Sequence, residues 1–276
     1  MSLLGPLRPD MTETKEQIQV GSKRLLFTTR ISSSYRNLYI GGRSYYCLYV
    51  QIPREDGPLA SLVDITTGSL PEVKYNAECS IEGEFIRGID TTQILRILLD
   101  SIRKRYPHVR SLSFSDASYR TCDSGSTISL AEMSYITTGK TWYERMFGAY
   151  LDPESATLFS AKETLFQAMK TQMPWAIFRE TVPVPDSAEE LYRSSQTWQA
   201  FFGPLKDQMG VSEFCTFAAP WLHGFLQQFL PIHIAGLQYR MPIQATEIAY
   251  TIGPYLAGGG RSTRRRLRSP GRRAYH

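Results

Sequence analysis

The apolar residues change their period at Asp90, and that change limits what the chain can fold into. From Gln17 to Phe85 they come in short runs dense in Tyr, Val, Ile and Thr, the side chains that suit a pleated, half-buried surface. Runs over 24–31, 37–40, 45–52, 59–65 and 73–85 predict strands. Gly41-Gly42, between the second and third runs, is a tight-hairpin signal because glycine tolerates the positive φ of a primed turn. An antiparallel meander is expected. Past Asp90, Ile94, Leu95, Leu98, Ile102 and Tyr106 share a helical face, with Arg96, Arg103, Lys104 and Arg105 mostly opposite. Asp90 is placed to cap this helix, Gln93 to complete the capping box and Pro107 to stop it. A buried strand is expected over 111–115, with helices starting near Ser129 and at Thr141.

Beyond Asp152 the pattern is mainly helical. Asp152-Pro153 pairs a capping carboxylate with a proline at the first helical position. Further helices are predicted over 187–202, capped by Asp186 with Glu190 in support, over 211–230 and over 245–256, with 179–185 as an extended connector. The fold class that follows is α+β, a mostly antiparallel sheet with packed helices followed by a mainly helical C-terminal half. The expected organisation is a flexible N-terminal arm (1–16), an α+β domain (17–151), a mainly helical region (152–256) and a flexible Gly/Arg-rich tail (257–276). The aromatic series Trp198, Phe201, Phe202, Phe214, Phe217, Trp221, Phe225 and Phe229 fits a core or subunit contact better than a ligand cage.

The formal charge of +5 is unevenly distributed. Residues 261–276 hold Arg261, Arg264, Arg265, Arg266, Arg268, Arg272 and Arg273 and no acid; without these, 24 basic residues face 26 acidic ones, a net of −2. The tail is therefore the basic element, and its target is anionic: nucleic acid, an acidic protein surface or an import receptor. Cys47, Cys79, Cys122 and Cys215 lie far apart without a paired spacing, which predicts reduced thiols, no metal centre and an intracellular, cytoplasmic or nuclear setting. His108, His223, His233 and His276 do not cluster along the chain. The most apolar stretch, Phe214 to Leu230, is interrupted by Pro220, His223, Gln227 and Gln228, so it reads as a buried helix, and no membrane span is expected.

Two strings could carry chemistry. Ser134 to Thr141 fits a phosphate-binding loop except for its opening serine, but Gly139 as a helix end and Thr141-Trp142-Tyr143-Glu144 as a capping box account for the same residues. The second is larger: strand, charged helix, strand and a helix ending in Tyr143-Glu144-Arg145-Met146-Phe147-Gly148, from Ala77 to Tyr150. This order resembles the core of GNAT-type N-acyltransferases. The resemblance implies acetyl-CoA as cofactor, Arg87 and Gly88 at its pyrophosphate, Glu82 or Glu84 as base and Tyr143 as the acid for the departing thiolate, beside a splayed strand pair. Asp90 stands where that family carries a small residue. Leu112 to Asp116, Gly139 to Glu144 and Phe147-Gly148-Ala149 also resemble an uncharacterised family of nucleocytoplasmic large DNA virus proteins with a Gly-x-Thr-Trp-Tyr-Glu string. Two functions are therefore expected. The first is a non-enzymatic structural or assembly protein, such as a minor capsid or core-associated virion component, with other protein subunits as partners and no cofactor. The second is an acyl-CoA-dependent N-acyltransferase.

The charge distribution generates a prediction. The full chain retards duplex DNA at low salt, with a log–log salt slope of up to about 6 if all the tail arginines neutralise phosphates. A chain lacking residues 257–276 loses that binding, and a mobility-shift assay across a salt series checks both statements. Unchanged binding by the shortened chain would assign the contact to the body.

Overall fold

The computed structural model describes residues 12–41, 46–54, 57–65, 91–116 and 118–255. The first strands are β1 (Thr12–Val20), β2 (Lys23–Ile31), β3 (Tyr35–Gly41), β4 (Tyr46–Pro53) and β5 (Leu59–Ile65). Each pairs antiparallel with the next. Gly21, at φ +57°, makes the two-residue turn between β1 and β2, a left-handed conformation that a β-carbon would strain. Helix α1 (Thr91–Arg105) then crosses over to β6 (Ser111–Ser115), which lies parallel to β5. A crossover is required because parallel neighbours cannot be joined by a hairpin.

The chain continues through a small hairpin, β7 (Tyr119–Thr121) and β8 (Thr127–Ser129), to α2 (Leu130–Thr138), α3 (Trp142–Phe147) and β9 (Tyr150–Leu151). Six helices follow: α4 (Pro153–Gln172), α5 (Trp175–Thr181), α6 (Glu189–Ser194), α7 (Trp198–Met209), α8 (Val211–Ala218) and α9 (Leu222–Phe229). Strands β10 (Gln238–Pro242) and β11 (Thr251–Pro254) complete a nine-stranded sheet, in the order β11-β1-β2-β3-β4-β5-β6-β10-β9. The helices after β9 thus form an excursion whose ends return to neighbouring strands. Asp152 N–H donates to the Gln238 carbonyl at 2.9 Å, and Gln238 N–H donates to Ser155 Oγ at 3.0 Å, so the two ends are bonded to each other.

Two apolar clusters result. In the first, Leu25, Phe27, Leu38, Ile40, Leu48, Val50 and Ile52 alternate along their strands and meet Ile94, Leu95, Leu98 and Ile102 of α1. Burying each of these side chains stabilises by about 1.5–3 kcal/mol. Arg105 binds Glu16 of β1 through both guanidinium ends, fixing the end of α1 against the sheet. The second cluster is helical and aromatic, with Phe178, Trp198, Phe202 and Phe225 fully or nearly fully buried. The Trp198 indole donates to the Phe166 carbonyl at 2.8 Å, so its one polar group is satisfied inside that core.

The α+β reading holds, as do the caps at Ser129, Thr141 and Asp152. The aromatic series is core: Trp198, Phe201, Phe202, Phe214, Trp221 and Phe225 are buried. Four expectations are corrected. Residues 245–256 contain β11 and not a helix, because Gly253 and Pro254 disfavour helix and the segment pairs with β1, placing Ile252 opposite Ile18. The helix over 187–202 breaks at Ser195, and Thr197 caps a new one through Ala200 N–H at 3.1 Å. The helix over 211–230 breaks around Pro220. Strand β1 begins at Thr12, inside the stretch read as an arm; most of its side chains are exposed, which is why no apolar run announces it. Gly42 and the run 73–85 lie outside the described residues.

Cys122 and Cys215 form a disulfide with Cα atoms 5.5 Å apart, which overturns the reduced-thiol reading for this pair. Scattered spacing did not reveal it because the bond joins segments 93 residues apart, the turn after β7 and helix α8. Closing a loop of that length restricts the unfolded chain and is worth about 4–5 kcal/mol in the chain-entropy account. Reduction, or Cys215→Ala, is therefore expected to lower unfolding free energy by about 2–5 kcal/mol. Urea denaturation with and without reductant measures it. Identical midpoints would mean that the bond contributes nothing to the folded state.

Candidate functional site

Among the described residues, the ladder between β5 and β6 covers three pairs, Leu59 with Ser111, Ala60 with Leu112 and Ser61 with Ser113. Both strands continue: β5 runs to Ile65 in register with β4, and β6 runs to Ser115 in register with β10. The β4–β5 register also shifts between Tyr49 and Val50. A bulge there re-aims the strand. Beyond those three pairs, each strand of this one described parallel pair is registered with its outer neighbour.

Buried polar groups gather just beyond the end of β6. Phe114 points inward, and its ring lies 4.7 Å from that of Tyr143 and 5.7 Å from that of Tyr239. Asp116 follows the strand and is 2% exposed; its Oδ1 accepts from Ser118 N–H at 3.3 Å. Burial pushes the Asp116 carboxyl above the ordinary carboxylate range, against the pull of its Ser118 hydrogen bonds and with a smaller push from Glu144. Tyr143 is 4% exposed; burial, then the nearby Asp116 charge, pushes its hydroxyl up, and Ser118 opposes this weakly. Tyr239, on β10, is raised by burial first, with its hydroxyl beside Thr141. Both phenols therefore hold their protons at neutral pH.

Local chemistry positions Tyr143. Thr141 N–H donates to Glu144 Oε2 at 2.6 Å, and Glu144 N–H donates to Thr141 Oγ1 at 3.4 Å. This closed capping box starts α3 one residue before Tyr143. Gly148 ends the helix in the left-handed conformation at φ 63°. The phosphate-loop alternative is excluded by the same geometry: Ser134 sits inside α2, and Gly139 is its left-handed C-cap.

Of the predicted site residues, Tyr143 lies at this locus. Glu82, Glu84, Arg87 and Gly88 lie outside the described residues, as do the tail arginines Arg261, Arg264, Arg265, Arg266, Arg268, Arg272 and Arg273. Sequence reading missed Asp116 and Tyr239. The usable signal for Asp116 was a carboxylate directly after a buried parallel strand; Tyr239 depends on β10 pairing with β6, which no local pattern gives.

Elsewhere, the buried Lys170 donates to the carbonyls of Tyr192 and Ser195 at 2.8 and 3.0 Å, and burial holds its ammonium down at about 8. It borders a cavity of about 710 Å³, but its contacts are those of a cap on the end of α6. The histidine reading is corrected: His223 and His233 converge on Glu132. No described helix is long and apolar enough to cross a membrane. No protein family, curated protein or solved structure matches the chain.

The Asp116 environment yields a pH prediction. Its folded carboxyl is raised above the unfolded value, so its stabilising share is complete below the ordinary carboxylate range and is lost as pH rises through the folded value. Asp116→Asn cannot ionise. It is expected to gain stability over the natural chain on going from acid to neutral pH, as followed by urea unfolding at both. A difference that does not change with pH contradicts this environment.

Proposed function

We propose that the sheet body acts as an acyl-CoA-dependent N-acyltransferase of GNAT type, with its acyl-transfer site at the open ends of β5 and β6. The observation that supports this most is the short parallel ladder: three registered pairs among the described residues, beyond which each strand is registered with its outer neighbour. The resemblance calls for a splayed pair on either side of the charged helix, with its first strand in the run 73–85; β5, which ends at Ile65, takes that place in this reading. A strand that has left its neighbour presents backbone donors and acceptors to a ligand.

The described residues fit the acyl end of such a cofactor. Bound acyl-CoA would supply an activated thioester. Tyr143, held by the capping box and by Phe114, keeps a proton at its hydroxyl at neutral pH, as an acid for a departing thiolate must. Burial also pushes the neighbouring Asp116 carboxyl up from its ordinary value. Under the same reading, Arg87 and Gly88 hold the pyrophosphate, and Glu82 or Glu84 takes the proton from the amine.

A second reading is favoured by the near-complete burial of Tyr143 and by the engagement of the Glu144 carboxylate in the capping box. Those contacts give both residues structural tasks. On this reading the chain is a non-enzymatic structural or assembly protein, virion-associated, without a cofactor, whose arginine tail grips nucleic acid or an acidic partner.

Thermal unfolding of the full chain with acetyl-CoA separates the two, run at raised salt so that the tail does not collect the phosphates. The acyltransferase reading predicts a concentration-dependent rise, about 2.7 kcal/mol at a hundredfold excess over Kd. It also predicts that Tyr143→Phe keeps the rise but slows acyl transfer to amines by about 10²–10⁴-fold. The absence of any rise at millimolar ligand would overturn it and leave the structural reading.

A further inference from the structure

Glu132, His223 and His233 come from three separate elements. Glu132 lies in the first turn of α2, His223 in the first turn of α9, and His233 directly before a short 3-10 turn (Ile234–Gly236). The Glu132 carboxylate is 3% exposed, whereas the two imidazoles are half-exposed or more, at 61% and 50%. Its Oε1 lies 2.9 Å from His223 Nδ1 and 3.7 Å from His233 Nδ1. The two rings stand nearly perpendicular, with centroids 5.8 Å apart.

We propose that these three side chains form a binding site for a divalent cation of the zinc class, independent of the reading given to the end of β6. Three arguments support it. The first is spacing: ligands on a tetrahedral zinc at about 2.0–2.2 Å lie roughly 3.4 Å from one another. The observed 2.9 and 3.7 Å bracket that value, and all three donor atoms fall within 4.8 Å of one another. The second is charge. A buried carboxylate needs compensation, and among the described residues the partners on this one are two imidazoles, which are neutral unless protonated. A dication supplies the missing charge. The third is donor type: two nitrogens and one oxygen suit zinc, cobalt or nickel, while calcium and magnesium prefer all-oxygen sets.

The exposure of the two imidazoles leaves the outer side of the site open to water. Three protein ligands and one solvent position is the arrangement of a site that can bind or polarise a further ligand, unlike a closed structural centre. The supports are covalent as well as packed. Cys122, just before the strand that leads into α2, is bonded to Cys215 on α8, the helix before α9. The disulfide therefore ties the unit carrying Glu132 to the one carrying His223.

The test is titration of the chelator-stripped full chain with zinc chloride by calorimetry, and with cobalt chloride by visible absorption. The expected result is one stoichiometric site with nitrogen/oxygen-type cobalt bands. His233→Ala and His223→Ala, both at exposed positions, are each expected to weaken binding by at least about tenfold while leaving the circular dichroism spectrum unchanged. Absence of a stoichiometric site in the natural chain would overturn the proposal. So would affinity in both histidine variants equal to that of the natural chain, which would place any bound metal on other residues.

Discussion

The sheet changes direction where β5 meets β6, and the positions of the other elements follow from that contact. A parallel neighbour obliges the chain to leave the sheet, and α1 fills the crossover with the apolar face of Ile94, Leu95, Leu98 and Ile102. The strands to one side are hairpin neighbours and form a continuous antiparallel ladder back to β1 and β11. Those to the other side, β10 and β9, are brought in from distant sequence. Because β5 and β6 are each anchored on the outside, their own ladder can end after three pairs without loosening the sheet. The buried Asp116, Tyr143 and Tyr239 gather beyond that end, with the side chain of Phe114 between them.

The helical half is attached rather than appended. It leaves after β9 and returns at β10, with Asp152 and Gln238 bonded across its base. Its aromatic core is dense enough to satisfy itself: Phe178 alone has ring neighbours in Trp175, Tyr192, Trp198, Phe201, Phe202 and Phe225. The Cys122–Cys215 bond ties it to the β7–β8 hairpin, whose chain leads directly into α2. Aromatic packing and a disulfide thus hold the helices to the segment after β6, where a short two-stranded hairpin alone would be marginal.

What could be read from the sequence was local. The four strand runs between 24 and 65, the face of α1 and the caps at Ser129, Thr141 and Asp152 depend on residues within one or two turns of each other, and each stands as read. What could not be read was long-range. Gly253 and Pro254 argued against helix, yet only pairing with β1 makes their segment a strand. Ser195 and Pro220 interrupt apolar patterns that look continuous, because the aromatic core accepts side chains from either side of a break. The same limit governs the site. The Tyr143 string was visible, but Asp116 and Tyr239 reach it through β6 and β10, and Glu132 meets His223 across 91 residues of chain. Side chains that tertiary structure brings together leave no spacing to find.

The central claim is that the ends of β5 and β6 beyond their three described pairs form the ligand site, and hydrogen–deuterium exchange with and without acetyl-CoA tests it most directly. The account predicts slower exchange on ligand addition in peptides covering 59–65 and 111–118, where the ladder stops and Asp116 follows, with the aromatic helices unchanged. Unchanged exchange in those two segments at saturating ligand, or protection confined to the helical half, would contradict it.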